Sequence, residues 1–154
     1  MQDENDIFIL RSDESVNKYL DRPKAHSIED ARQFITKIKN AVSNHQSLYW
    51  AITLKESAAF AGTICVWNIS EENKKAEIGY ELLPRFQGKG IMQEALQRIL
   101  KFAFENMKLT SIEANTHKDN HHSSKLLEKL HFKQNSGSSH DGNEINFFLK
   151  KQDQ

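Results

Sequence analysis

The apolar positions of this chain change their spacing several times, and each change predicts an element. From Ser27 to about Asn44, Ala31, Phe34, Ile35, Ile38 and Val42 recur three and four residues apart, the pattern of a helix with one apolar face. Ser27, with Asp30 three residues on, is a suitable N-cap. Shorter helices are predicted over Asp3 to Leu10 and Glu14 to Leu20, the second stopped by Arg22-Pro23, because a residue before proline is pushed out of the helical region. Strand-like runs follow at Ser47 to Leu54, Ala59 to Asn68 and Lys75 to Leu83. Their polar connections, Lys55 to Ala58 and Ile69 to Lys74, are short, which favours an antiparallel meander.

After Pro84 the spacing turns helical again, with Ile91, Ala95, Leu96, Ile99, Phe102 and Ala103 on one face between Gly88 and Asn106. A strand over Leu109 to Thr116 completes a strand, helix, strand unit, so the two strands are expected to be parallel. Asn120 to Leu130 reads as a helix with Leu126, Leu127 and Leu130 apolar. Two last strands, about Phe132 to Ser138 and Asn143 to Lys150, are joined across Asp141-Gly142, a hairpin signal. The prediction is a mixed α/β sheet, antiparallel early and parallel in the middle. No Ser/Gly-rich or Pro-rich linker interrupts it, so residues 1–154 are read as one domain.

Composition narrows the function. With 38% hydrophobic and 27% charged residues, the chain is that of an ordinary globular protein. Lys plus Arg and Asp plus Glu number 21 each, so no overall field draws a nucleic acid or an anionic membrane surface. No apolar run approaches the ~20 residues of a membrane helix, and the acidic start Met1 to Asp6 lacks the basic and apolar regions of a signal peptide, which makes a cytoplasmic protein the expectation. Cys65, inside the apolar run Ala61 to Trp67, is read as a core thiol. His117, His121 and His122 lack a Cys or carboxylate set at ligand spacing, so they are read as surface histidines and no metal is expected.

The chemistry concentrates in the run from Glu77 to Leu96, which reads as strand, glycine-rich turn, helix. Gly88 and Gly90 let the backbone approach a ligand closely, and the free amides of a first helical turn converge with its positive end on an anion. A P-loop is excluded because Lys89 is followed by Gly90 rather than Ser or Thr. The dinucleotide fingerprint fails because Gln93 stands where a third glycine belongs.

Arg85, Gly88 and Gly90 match the Arg/Gln-x-x-Gly-x-Gly/Ala signature of the GNAT acetyltransferase superfamily, which this run resembles. Ala-Glu-Ile-Gly-Tyr, Gly-Lys-Gly-Ile-Met and Glu-Ala-Leu resemble its RimJ/RimL-type branch. Independently, Asn120-x-x-Ser123 followed by Leu126-Leu127-Glu128-Lys129-Leu130-His131-Phe132 is similar to that branch's Asn-x-x-Ser helix ending in Leu-Gly-Phe, with His131 for the glycine. The resemblance spans about Ile7 to Leu149; the strand with which members usually begin is not found before the first helix, so either it is absent or the sequence is a truncated version of a longer one.

What the resemblance implies is an acetyl-CoA-dependent N-acetyltransferase. Two central parallel strands splay, and the pantetheine arm lies between them. The main chain at Leu82 and Leu83 pairs with the pantetheine, Arg85 belongs to the signature, and Gln87, Gly88, Lys89, Gly90, Ile91 and Met92 hold the pyrophosphate. Asn120 reaches the amide or thioester end. Glu77 is the candidate general base, against a structural role on a half-exposed strand. Leu127 stands where many members carry a proton-donating Tyr, so Ser123 is the candidate acid, against a cap for its helix. The acceptor is read as a protein N-terminal amine. A polyamine, an amino acid, an antibiotic or a non-catalytic CoA-binding module stand as alternatives, and a homodimer is common in the branch.

Overall fold

The computed structural model describes residues 3–136 and 142–153. Helices α1 (Asp3–Ser12), α2 (Glu14–Asn17) and α3 (Ile28–Ser43) come first, followed by strands β1 (Leu48–Thr53), β2 (Phe60–Ser70) and β3 (Lys75–Leu82). Then come α4 (Ile91–Glu105), β4 (Ser111–His117), α5 (His121–Lys129), β5 (Lys133–Gln134) and β6 (Glu144–Lys150). The strands form one sheet in the order β1-β2-β3-β4-β6-β5, in which only β3 and β4 are parallel. The mixed sheet expected from the periodicity is therefore the sheet observed, and no strand precedes α1 among the described residues.

The two faces of the sheet are covered by different helices. Trp50 meets Phe102 of α4 edge-on at 5.8 Å between ring centroids, while its neighbour Tyr49 meets Phe34 of α3 at 6.0 Å. Successive strand residues point to opposite faces, so α3 and α4 lie on opposite sides. Leu96 and Phe104 of α4 are fully buried, as are Val66, Ile112, Phe147 and Leu149 from three strands. Each such side chain adds about 1.5–3 kcal/mol by leaving water. Ser27 caps α3 as its sequence suggests, its side chain accepting from the Asp30 amide.

Two expectations are shortened. The helix predicted to reach Leu20 ends after one turn, with Lys18 as its C-cap. Asn17 is the physical reason: buried, it turns its side-chain amide back onto the carbonyls of Leu10, Arg11 and Asp13, at 3.2, 3.1 and 2.7 Å. The strand expected from Phe132 pairs only at Lys133 and Gln134 among the described residues. Ser138 and Asp141 of the expected hairpin lie outside the described residues. His131 takes a φ of 71°, a left-handed conformation that a glycine holds with less strain.

The register of the central pair positions the site. β3 and β4 pair at Lys75 with Ser111, Ala76 with Ile112 and Glu77 with Glu113. Beyond that point β3 continues to Leu82 on β2, and β4 continues to His117 on β6, with no ladder between them. The sheet forks there.

Candidate active site

A cavity of about 510 Å³ lies along the fork, walled by β3, the turn into α4, the α5 helix and the stretch from Ser15 to Leu20. Its two ends are built differently. At one end Gln87, Gly88, Gly90, Ile91, Met92 and Gln93 contribute to the wall. Gly88 and Gly90 have φ of 74° and 80°, and a Cβ placed on either would meet nothing within 4 Å. Both glycines are thus required by backbone conformation, and the space before them is open to a ligand. The amides of Ile91, Met92 and Gln93 precede the first intrahelical bond of α4, from Glu94 N–H to Gly90 C=O at 3.1 Å, so they are free for an anion.

The cationic side chains of the lining come from α5 rather than from the turn. Lys125 and Lys129 line the cavity, with His122 one turn earlier. Arg85 and Lys89 are exposed and outside the lining, and the Arg85 guanidinium lies 4.8 Å from the Phe86 ring centroid. Open glycines, converging amides and two ammonium groups fit a pyrophosphate.

Near the middle, Asn120 and Ser123 start α5. Asn120 caps the helix, its Oδ1 accepting from the Ser123 amide at 3.3 Å. Its side-chain NH2 makes no hydrogen bond among the described residues. The Ser123 hydroxyl is hydrogen-bonded to the Tyr80 hydroxyl, and both residues line the cavity. Burial pushes the Tyr80 phenol up to about 12, more than the bond to Ser123 brings it down. This pair therefore stays protonated through the neutral range.

The two carboxylates of β3 sit apart. Glu77 stands at the fork, outside the cavity lining, with Oε1 accepting from Asn68 at 3.0 Å and Oε2 from Asn115 at 3.3 Å. Asn115 in turn accepts from Asn146 at 2.8 Å, so an amide chain across three strands fixes the carboxylate. Glu81, four residues on and on the same face, lines the cavity and is paired with Arg22.

Of the residues singled out in the sequence, the cavity brings together Leu82, Gln87, Gly88, Gly90, Ile91, Met92, Asn120 and Ser123. Glu77, Leu83, Arg85 and Lys89 are not in its lining. The Leu82 carbonyl accepts from the Gln87 side chain at 2.9 Å, and the Leu83 amide is already donated to Ala61 at 2.8 Å. Glu81, Lys125, Lys129 and the α2 segment were not anticipated as site residues, and Tyr80 was read only as core or acceptor-pocket lining. The spacing of His122, Lys125 and Lys129 on one helical face was a legible signal; the fold-back of α2 was not. Among the described residues no group of three or more His, Cys, Asp and Glu side chains is placed to hold a metal, and no helix is long and apolar enough to cross a membrane.

Comparison with known proteins agrees with this arrangement. The family model for the acetyltransferase (GNAT) domain matches residues 1–133. The chain is 36% identical over 122 residues to the uncharacterized N-acetyltransferase p20 of Bacillus licheniformis, covering 79% of this chain and 68% of that one. Spermidine N-acetyltransferase from Vibrio cholerae, solved with CoA and spermine, superposes with a TM-score of 0.85 at 15% identity, covering 99% of this chain and 92% of that one. RimL, the ribosomal L7/L12 alpha-N-protein acetyltransferase solved with coenzyme A, superposes with a TM-score of 0.83 at 21% identity, covering 97% and 89%. At these identities the two structural likenesses are of fold.

Proposed function

The chain belongs to the GNAT acetyltransferase family, and from that premise we propose that it moves the acetyl group of acetyl-CoA onto a primary amine inside the forked cavity. The observation that carries the reading is the fork itself, with β3 and β4 parting after Glu77 above an open glycine turn. The amides of Ile91 to Gln93, with Lys125 and Lys129, would hold the pyrophosphate. The pantetheine arm would run between the parted strands past Leu82 toward Asn120, whose free NH2 donates to it. Acetyl-CoA supplies the activated acyl group.

Glu77 is proposed as the base that relieves the amine of its proton, through a water because its carboxylate stands outside the cavity lining. Asn68 and Asn115 hold it in place. Ser123 and Tyr80 are proposed to donate to the departing sulfur. A phenol near 12 is a weaker acid than an alkyl thiol near 8.5, so complete transfer from Tyr80 runs uphill by about 5 kcal/mol. The pair accordingly stabilises the thiolate by hydrogen bonding, and solvent delivers the final proton.

The acceptor we favour is a protein N-terminal amine, supported by the likeness to RimL. The likeness to spermidine N-acetyltransferase supports a polyamine as the second candidate. Both readings use the same cavity with acetyl-CoA as co-substrate, and a cytoplasmic protein is proposed with them.

A thermal-shift titration with acetyl-CoA, CoA, ATP and NAD tests the cofactor. A ligand at 100 times its Kd adds roughly 2.7 kcal/mol, or about 5–10 °C for a domain of this size. The expected result is a shift with the two CoA species alone, followed by acceptor-dependent thiol release from acetyl-CoA. A shift with ATP or NAD but not with CoA sinks the proposal. Binding without thiol release on any amine leaves only a CoA-binding module.

A further inference from the structure

Glu81 is held more firmly than a wall residue needs to be. Its side chain is 12% exposed and lines the cavity. One carboxylate oxygen is taken by the Arg22 guanidinium, while Oε2 is buried with no hydrogen-bond partner. Arg22 is itself anchored, Nε and Nη2 both donating to the Asn17 side-chain oxygen at 2.9 and 2.8 Å. Asn17, the residue that ends α2, is itself bonded back to the carbonyls of Leu10, Arg11 and Asp13, so the fold-back of α2 on α1 anchors the guanidinium that holds the carboxylate. A buried acceptor without a donor costs free energy that nothing among the described residues returns.

The charges around Glu81 restrict what completes it. Arg22 is in contact, and the Arg11 guanidinium, stacked 3.8 Å from the Phe34 ring centroid, acts on it through space. Tyr49 and Cys65 feel its charge too, and burial keeps both neutral, at about 12 and about 11. Two guanidinium groups thus face one carboxylate. A further cation is disfavoured there, whereas an uncharged N–H donor satisfies Oε2 at no electrostatic cost. A nucleophilic amine in the reactive form is such a donor.

We propose that Glu81 receives the acceptor amine and selects for amines that are easily neutral. Glu81 lines the cavity, and there its carboxylate, with Oε1 kept on Arg22, accepts one N–H and leaves the nitrogen lone pair for the acyl carbon. The α-amine of a peptide, near 7.7–8.0, meets this condition at neutral pH far better than an alkylamine near 10.4. The inference rests on the acetyltransferase reading and narrows its acceptor class.

The test uses the full chain labelled with 13C at the glutamate carboxyl carbons, with Glu81→Gln used to assign the Glu81 signal. At pH 7, alaninamide is expected to move that signal saturably and n-butylamine to do so at least tenfold more weakly, the gap narrowing as pH rises toward 10. In turnover, Glu81→Gln is expected to raise the KM for alaninamide about tenfold or more, with CoA affinity within twofold of the parent. An unmoved Glu81 signal, equal effects of the two amines at pH 7, or an unchanged KM overturns the inference. Should Glu81→Gln fail to fold, Glu81→Asp assigns the signal. Because the amine titration is made on the free protein, absence of CoA binding would sink the acetyltransferase reading separately.

Discussion

The two ends of the cavity, as proposed, would recognise their ligands with different parts of the chain. The cofactor end is built largely from backbone: two glycines at positive φ and three amides at the start of α4, contiguous from Gly88 to Gln93. The proposed acceptor end is built from side chains of distant segments, Tyr19 and Leu20 after α2, Arg22 beyond them, and Glu81 on β3. A backbone site needs only that the main chain be free to adopt the right conformation, so many side chains can surround it. A side-chain site depends on each residue and on whatever orients it. The first kind is suited to a co-substrate common to a whole family, the second to an acceptor that differs from member to member.

The sharpest way to break this division is at the fork, where the halves meet. Glu77→Gln keeps the size of the side chain and one of its two acceptor oxygens, and removes the proposed base. Turnover at saturating acetyl-CoA is expected to fall about a hundredfold, while the Kd for CoA stays within twofold by calorimetry. A comparable loss of CoA affinity would assign Glu77 to the cofactor half instead, and unchanged turnover would leave it a structural role among Asn68 and Asn115. At the cofactor end, Gly90→Val forces a β-branched residue to a φ of 80°, at a cost of about 1–3 kcal/mol. The expected result is a Kd for CoA weakened at least tenfold with the acceptor KM unchanged. The reverse pattern would deny the turn its role.

The same division explains what the sequence showed. Helical and strand spacing survived folding almost residue for residue in α3, β1 to β3 and α4, because their apolar faces are continuous and cover the sheet. The glycine turn was legible because positive φ leaves few choices of residue. Tyr80 was not, since its position in the strand alternation is that of a core residue, and only the approach of α5 makes its hydroxyl a partner for Ser123. Glu81 was hidden for a related reason. Glu77 and Glu81 share one face of β3, and nothing in their spacing tells which is clamped by an arginine 59 positions earlier. The early end of α2 is likewise a tertiary effect, set by how Asn17 turns back on α1.

The smallest expected effect lies between the two ends. Tyr80→Phe and Ser123→Ala each remove one hydroxyl from the hydrogen-bonded pair, and neither hydroxyl touches the base or the pyrophosphate turn. If the pair acts as one donor, each variant should lower turnover about three- to tenfold and the double variant should be no slower than the worse of the two, since groups that work as a unit are non-additive. Additive losses would mean that the hydroxyls contribute separately. Unchanged turnover in Ser123→Ala at saturating acetyl-CoA would remove Ser123 from the chemistry and leave its place in the first turn of α5. The pH profile separates the pair from Glu77. Burial raises the Tyr80 phenol, so the protonated form is the one that folding favours: any stability it contributes is fully present below its ordinary 10 and is lost as pH rises toward about 12. Across pH 6 to 9 the pair should therefore impose no inflection on turnover, and Tyr80→Phe should lower the whole curve without changing its shape.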